Sequence, residues 1–264
     1  MTISRCVLGP FTSVRAYNSL SAAETSSYRS ILLDVEGTTS PISFVYETLF
    51  PYARKRIGPF LHEHSSDPDV ISVFQELRGA NVSDLPAGAP AISGRDLIGE
   101  ITDYLLWLMD HDRKTAALKT LQGMIWELGF EQGELQSEIF ADVPVCLVHW
   151  HKAGLKTAIY SSGSVLAQKM LFSHTPYGNL THLISAYFDT GVGPKKQPLS
   201  YQRIARELQV PAEQVIFVSD IAEELEAART AGLGTALSVR PGNQEQNGAA
   251  KYRIIHSLAE LFSS

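Results

Sequence analysis

Three short apolar runs in this chain each end in a polar residue, and that recurrence restricts the fold more than any other feature. Ser30-Ile31-Leu32-Leu33 runs into Asp34, Thr157-Ala158-Ile159-Tyr160 into Ser161, and Val215-Ile216-Phe217-Val218-Ser219 into Asp220. Short continuous apolar runs bounded by turn signals read as strands buried on both faces. Such strands belong to parallel sheets whose two faces are covered by helices. Helical patterns alternate with them. One runs from Val143 to Lys152, Ser161-Ser162-Gly163-Ser164 opens another through Leu171, and two more span Tyr201 to Leu208 and Glu223 to Ala231. Further strands are predicted at Ala186 to Phe188 and Thr235 to Val239. The expected fold is α/β, a Rossmann-like parallel sheet with helices on both faces.

After the first strand the alternation stops and resumes only near Val143. Within that gap Leu97, Ile98, Ile101, Tyr104, Leu105 and Leu108 recur at helical spacing, as do Leu118, Leu121, Ile125 and Leu128. These are two amphipathic helices. The stretch Asn81 to Gly94 is rich in Gly, Pro, Ser and Asp and reads as a loop. The expected organisation is a catalytic core of residues 30–43 and 141–264, an all-helical cap inserted at residues 44–140, and a loose N-terminal extension over residues 1–29. A chain of 264 residues is long enough for such an arrangement.

The formal charge of -6 and a pI near 5.8 argue against nucleic acid or an anionic membrane as partner. An anionic substrate would therefore need local cations. Cys6 and Cys146 lie far apart and fit no metal-ligand or redox spacing, which suits a reducing compartment. No apolar run reaches the length of a membrane span. A cytoplasmic monomer is expected, with nuclear residence an option in a eukaryote. The Ser- and Thr-rich opening, with Arg5, Arg15 and Arg29 against the single acid Glu24, leaves organelle targeting as a weaker alternative to a loose extension.

In open α/β sheets ligands bind beyond the carboxyl ends of the strands, where Asp34, Ser161 and Asp220 would meet. Asp34 and Glu36 stand at i and i+2, so an extended backbone points both carboxylates one way. Like charges that close call for a shared proton or an intervening cation. Asp220 adds a third oxygen donor, and Glu224, one helical turn on, is placed to orient bound water. An all-oxygen set without histidine favours Mg²⁺ over Zn²⁺, at one ion per chain. Taken singly, Asp34 is as well explained as a turn cap and Asp220 as a helix cap. Their joint occurrence with Gly37-Thr38-Thr39 and Ser161-Ser162-Gly163 is the signal.

Ser161, Ser162 and Gly163 end a strand and open a helix, so their backbone N–H groups form a cradle for phosphate. An ordinary N-cap would look the same. Lys195, in the glycine-flanked segment Gly191-Val192-Gly193-Pro194-Lys195-Lys196, is placed to neutralise a transferring phosphoryl group. His62-Glu63-His64 and His149-Trp150-His151 lack the i, i+4 spacing of helical metal sites and read as surface residues.

In this order Asp34-Val35-Glu36-Gly37-Thr38-Thr39, Ser161-Ser162-Gly163-Ser164, the Lys195 loop and Ser219-Asp220 resemble the four motifs of haloacid dehalogenase-type phosphatases. More narrowly the chain resembles the enolase-phosphatases of methionine salvage, also called acireductone synthases. Three features carry this: Glu36 two residues after Asp34, the run Asp112-Arg113-Lys114-Thr115-Ala116-Ala117-Leu118-Lys119-Thr120-Leu121-Gln122-Gly123, and Val239-Arg240-Pro241-Gly242-Asn243. The resemblance implies Asp34 as the nucleophile, Glu36 as general acid and base, and Lys195 as counter-charge. It further implies Ser161 and Ser162 at the substrate phosphate and Asp34, Glu36 and Asp220 around Mg²⁺. It implies a bifunctional reaction in which 2,3-diketo-5-methylthiopentyl 1-phosphate is enolised and then dephosphorylated to the acireductone. Glu224 stands where the superfamily more often has aspartate. Arg113 and Lys114 are candidate substrate contacts, with solvated charge on a cap helix equally suited to them. Two alternatives stay open: a phosphatase of this fold acting on another small phosphomonoester, or a phosphate-sensing module without catalysis.

Overall fold

The computed structural model describes residues 27–83, 86–113 and 115–262. Six strands make one sheet: β1 Ser30–Leu33, β2 Lys156–Tyr160, β3 Ala186–Phe188, β4 Val215–Ser219, β5 Gly234–Ser238 and β6 Arg253–Ile255. Their order is β3-β2-β1-β4-β5-β6 and every neighbouring pair is parallel. Side chains alternate across the central strand as the pleat demands. Ile31 and Leu33 enter the apolar cluster on one face, and Leu32 enters the cluster on the other. The first face is covered by α5 (Asp142–Lys152) and α6 (Val165–Ser173), the second by α7 (Pro198–Leu208) and α8 (Ala222–Thr230). This doubly wound order reverses direction at β1, so the ends of β1 and β4 flank the crevice where such sheets bind ligands.

Between β1 and α5 lies the helical insertion. A turn of π-helix over Phe44–Leu49 leads into α1 (Phe50–Glu63), followed by α2 (Pro68–Ser83), α3 (Leu97–Asp110) and α4 (Ala116–Glu131). Asp96 caps α3 by accepting from the Gly99 N–H at 3.2 Å, and Thr115 caps α4 by accepting from the Leu118 N–H at 3.2 Å. The insertion buries its own core, with Ile57, Ile101, Leu105 and Leu121 fully inaccessible. Its two connections to the sheet run side by side. The Phe140 N–H donates to the Thr39 carbonyl at 3.1 Å, and the Ser40 hydroxyl donates to the Glu138 carbonyl at 2.7 Å.

The insertion therefore holds two helices, α1 and α2, beyond the pair read from periodicity, and the first residues of the expected Asn81–Gly94 loop belong to α2. The edge strand β6 was not anticipated either. Tyr28 and Arg29, assigned above to a loose extension, are tied to the core. The Tyr28 ring lies 6.2 Å from that of Phe262, and the Arg29 N–H donates to the Gln214 carbonyl at 2.8 Å. The rest of that extension, through residue 26 and including Cys6, falls outside the described residues, as does Lys114. Cys146 is a buried free thiol, pushed up to about 12 by burial and by the charge of Asp142. Among the described residues no helix is long and apolar enough to cross a membrane.

Candidate active site

Asp34 follows the last residue of β1 and is buried. Its Oδ1 accepts from the Val35 N–H and from the Lys195 ammonium, both at 2.7 Å, and its Oδ2 accepts from the Ser219 hydroxyl at 3.2 Å. The carboxylate is thereby fixed in orientation before any ligand arrives. The chain then turns sharply at Gly37, whose φ of 69° favours glycine. A Cβ there would also lie 2.5 Å from Asp220 Oδ2 and 2.9 Å from Asn243 Oδ1. This turn brings the acid at the end of β4 up against the segment leaving β1.

Lys195 is held from three sides. The Tyr160 hydroxyl donates to the Gly193 carbonyl at 2.8 Å, the Ser200 hydroxyl to that of Pro194 at 2.8 Å, and the Tyr201 hydroxyl to that of Lys195 itself at 2.6 Å. Its buried ammonium bridges Asp34 and Glu224, each 2.7 Å away. Burial alone would depress the ammonium's pKa, but the two carboxylates and their hydrogen bonds more than offset that and hold it above the usual lysine range. Glu224, expected from sequence to orient bound water, grips Lys195 and stands 2.9 Å from Ser219 Oγ, whose one proton it shares with Asp34. Lys196, its neighbour in sequence, forms an exposed ion pair with Glu223.

Ser161 follows β2 and is buried, and its Oγ accepts from the Gly163 N–H at 3.1 Å. Ser164 caps α6 by accepting from the Ala167 N–H at 3.2 Å. Gln168, one turn along α6, was missed in the sequence. Its amide donates to the carbonyls of Gly163 at 2.9 Å and Phe188 at 2.8 Å, fixing the cradle to the end of β3.

A cavity of about 690 Å³ lies over this rim. Asp34, Glu36, Ser161, Ser162, Gly163, Lys195 and Asp220 line it from the sheet, and Tyr46, Phe50, Lys119, Gln122 and Trp126 line it from the insertion. The seven residues assigned from the sequence to catalysis, phosphate and metal, Asp34, Glu36, Ser161, Ser162, Gly163, Lys195 and Asp220, thus share one cavity. Arg113 does not line it: its guanidinium stacks 5.5 Å from the Trp107 ring and lines an adjoining, smaller cavity. Lys119, Gln122 and Trp126 stand at i, i+3 and i+7 on α4, one helix face. Two polar residues on that cavity-lining face are the signal that would have found them. His149 and His151 are exposed, and His64 pairs with Asp67 at 2.7 Å, as surface residues should.

Asp220 is pushed up to about 7 by burial and then by the charges of Asp34 and Glu224, and Glu224 is raised to about 7 by burial and Asp34. Both carboxyls therefore bind protons in the folded chain at pH values where the unfolded chain has released them. The stability this contributes is present at acid pH and is lost as the pH rises through 7. In a chelator the thermal midpoint is expected to fall by on the order of 5 °C between pH 5.5 and 8. The fall should be clearly smaller in Asp220→Asn; equal slopes would contradict the assignment.

Among the described residues no three His, Cys, Asp or Glu side chains converge as a ready-made chelate. Mg²⁺ does not require one, because it keeps several waters and takes one or two carboxylates. The donor set fits it. Asp34, Glu36 and Asp220 offer oxygen alone, with Glu224 they outnumber the ammoniums of Lys195 and Lys119, and the buried Asn243 Oδ1, next to Gly37 and Asp220, has no hydrogen-bond partner among the described residues. Asn243 Nδ2 donates to the carbonyls of Gly37 at 2.9 Å and Ser238 at 3.2 Å, so Oδ1 is the atom left over.

An aspartate ending the first strand of a doubly wound sheet, a lysine fixed on it and an inserted helical cap define a haloacid dehalogenase-like hydrolase, and the model of that family matches residues 28–232. The chain is 46% identical over 235 residues to the enolase-phosphatase E1 of Synechococcus elongatus, covering 89% of this chain and 98% of that protein. It is 43% identical over 217 residues to the enolase-phosphatase E1 of Drosophila melanogaster, covering 81% and 84%. The crystal structure of the UTR4 protein of Saccharomyces cerevisiae superimposes with a TM-score of 0.72 at 33% identity, covering 87% and 98% of the two chains. The chain belongs to the enolase-phosphatase E1 family of the haloacid dehalogenase-like hydrolases.

Proposed function

We propose that this chain catalyses both steps that convert 2,3-diketo-5-methylthiopentyl 1-phosphate to the acireductone and phosphate in methionine salvage. The observation that carries the reading is the Asp34 carboxylate, oriented by Val35, Ser219 and Lys195 at the floor of a cavity that Glu36 also lines. The substrate phosphate sits against Ser161, Ser162 and Gly163 and accepts from the Ser161 and Ser162 hydroxyls and the Ser162 N–H. The Ser161 N–H donates to the Phe188 carbonyl and the Gly163 N–H to Ser161 Oγ, holding the cradle in shape. Glu36 takes the proton from the carbon bearing the phosphate ester. Asp34 then attacks phosphorus to form an aspartyl-phosphate, and Glu36 returns its proton to the leaving oxygen. After the enediol departs, water attacks the aspartyl-phosphate with Glu36 taking its proton, which releases phosphate and restores the Asp34 carboxylate. Lys195 offsets charge on the phosphoryl oxygens as the bond breaks. Asp34, Glu36 and Asp220 would hold one Mg²⁺, which supplies positive charge that lets an anionic nucleophile approach an anionic phosphate. The insertion of residues 44–140 acts as a cap that excludes water from the enolised intermediate. The enzyme works as a cytoplasmic monomer.

The test mixes protein, Mg²⁺ and the diketo phosphate and follows enol absorbance and free phosphate together. Enol is expected to rise before phosphate. Phosphate release with no enol would reduce the chain to a phosphatase acting on another phosphomonoester, and no turnover at all would leave a phosphate-binding module.

A further inference from the structure

Lys119 comes from α4 of the insertion yet touches the phosphate cradle of the core. Its ammonium donates to the Ser162 carbonyl at 3.2 Å and lies 3.5 Å from the Thr190 hydroxyl. It also lines two cavities. One is the 690 Å³ space above Asp34, and the other is a neighbouring cavity of about 260 Å³ within the insertion. The two share Tyr46, Phe50, Lys119 and Gln122, so these residues form the passage between them. Beyond the passage the smaller cavity is lined by the apolar Pro51, Leu108, Met109 and Leu118 and, opposite them in chemistry, by the charged Arg54, Asp112 and Arg113. Thioether and aromatic side chains are soft surfaces suited to a methylthio group.

Resting on the enolase-phosphatase reading, we propose that Lys119 is a catalytic residue of the enolisation step. With the phosphate on Ser161 and Ser162 and the apolar tail in the smaller cavity, the carbonyl carbons between them lie at the passage, beside the Lys119 ammonium. The C–H bond of the phosphate-bearing carbon breaks and its proton goes to the Glu36 carboxylate. The freed electron pair forms a double bond to the neighbouring carbonyl carbon, and the carbonyl π pair moves onto oxygen. A Lys119 N–H, approaching from the cap side, donates to that oxygen as its charge develops. The charge stays there while the Glu36 proton passes to the departing ester oxygen, so the enediol leaves as an anion. Because the donor rides on the insertion, enolisation is possible only with the cap seated on the cradle, which protects the carbanion from solvent.

The test compares Lys119→Met, which keeps the apolar stem and loses the charge, with wild type in single turnovers of the diketo phosphate and of an aryl phosphate that has no carbonyl. Enol formation is expected to slow about 10²-fold, the scale for loss of one oxyanion donor. That loss should exceed the loss on the aryl phosphate at least about tenfold, and Lys119→Arg should recover part of it. Equal losses on both substrates would make Lys119 a mere latch and overturn the proposal, as would an unchanged enol rate. Thr190→Val removes the other end of the contact: a latch predicts losses on both substrates, whereas the proposal predicts an enol rate within about threefold of wild type. Wild type that forms no enol would sink the enolase reading itself, whatever the variants do.

Discussion

Asp34→Asn is expected to stop phosphate release, by on the order of 10⁴-fold or more, while substrate still enolises. An amide oxygen cannot form a stable acyl phosphate, so the variant lacks the covalent route altogether. The replacement is nearly isosteric. Its carbonyl oxygen can keep the Val35 N–H and the Lys195 ammonium, each at 2.7 Å in the native site, and the Ser219 hydroxyl can turn to accept from the new NH₂. Lys195 also retains Glu224, so the buried ammonium is not stranded. Enolisation relies on Glu36 and Lys119 instead, and the enol phosphate should accumulate in stoichiometric amount or more. Rapid quench with separate assays for enol and phosphate checks this. Loss of both activities together, in a folded variant, would mean that the two steps are not separable in the way proposed.

Lys195→Met should be the most damaging substitution for stability, and it should slow turnover as well. The ammonium is buried and neutralises two carboxylates at once, and a methionine leaves Asp34 and Glu224 facing each other across a low-dielectric gap. Removing one partner of a buried pair costs roughly 3–5 kcal/mol. Phosphoryl transfer should fall about 10²- to 10³-fold from loss of counter-charge. The sign of the pH effect follows from the same geometry. Without the ammonium Glu224, already raised by burial and by Asp34, is driven further toward its protonated form, so the variant regains stability as the pH is lowered and loses it as the pH rises. Adding Glu224→Gln should restore a substantial part of the lost stability and little of the activity. Chemical denaturation at two pH values, read as a double-mutant cycle, measures this. Simple additivity of the two substitutions would contradict the bridge.

The parts of this fold that can be read directly from the chain are those whose chemistry is local. β1, β2 and β4 are near-continuous apolar runs because both faces are covered, and each runs into a polar residue that lines the cavity. Asp34, Ser161 and Asp220 could therefore be placed on one rim from spacing alone. Glu224 could not be assigned its partner. Its tie to Lys195 joins the first turn of α8 to a loop remote in sequence, and nothing in either segment records it. β6 escaped because an edge strand as short as Arg253-Ile254-Ile255, with its first two residues exposed, shows neither a buried run nor alternation. α1 is hidden because Pro51, Gly58 and Pro59 interrupt its helical signal. α2 is legible, since Val70, Val73, Phe74 and Leu77 recur at i, i+3, i+4 and i+7 and are buried, and this stripe was overlooked. Lys119 sat in full view within the run that distinguishes the enolase-phosphatases, yet only the seating of α4 over the cradle separates it from the other cap lysines.

The account rests on covalent transfer of phosphate to one carboxylate, and trapping that bond tests it most directly. Protein turning over the diketo phosphate with Mg²⁺ is quenched into borohydride, which reduces an acyl phosphate to an alcohol, and the peptides are mapped by mass. Homoserine at position 34, dependent on both substrate and Mg²⁺ and absent elsewhere, is the expected result. An unmodified Asp34 in an enzyme caught at steady state, or reduction at Asp220 or Glu224 in its place, would contradict it.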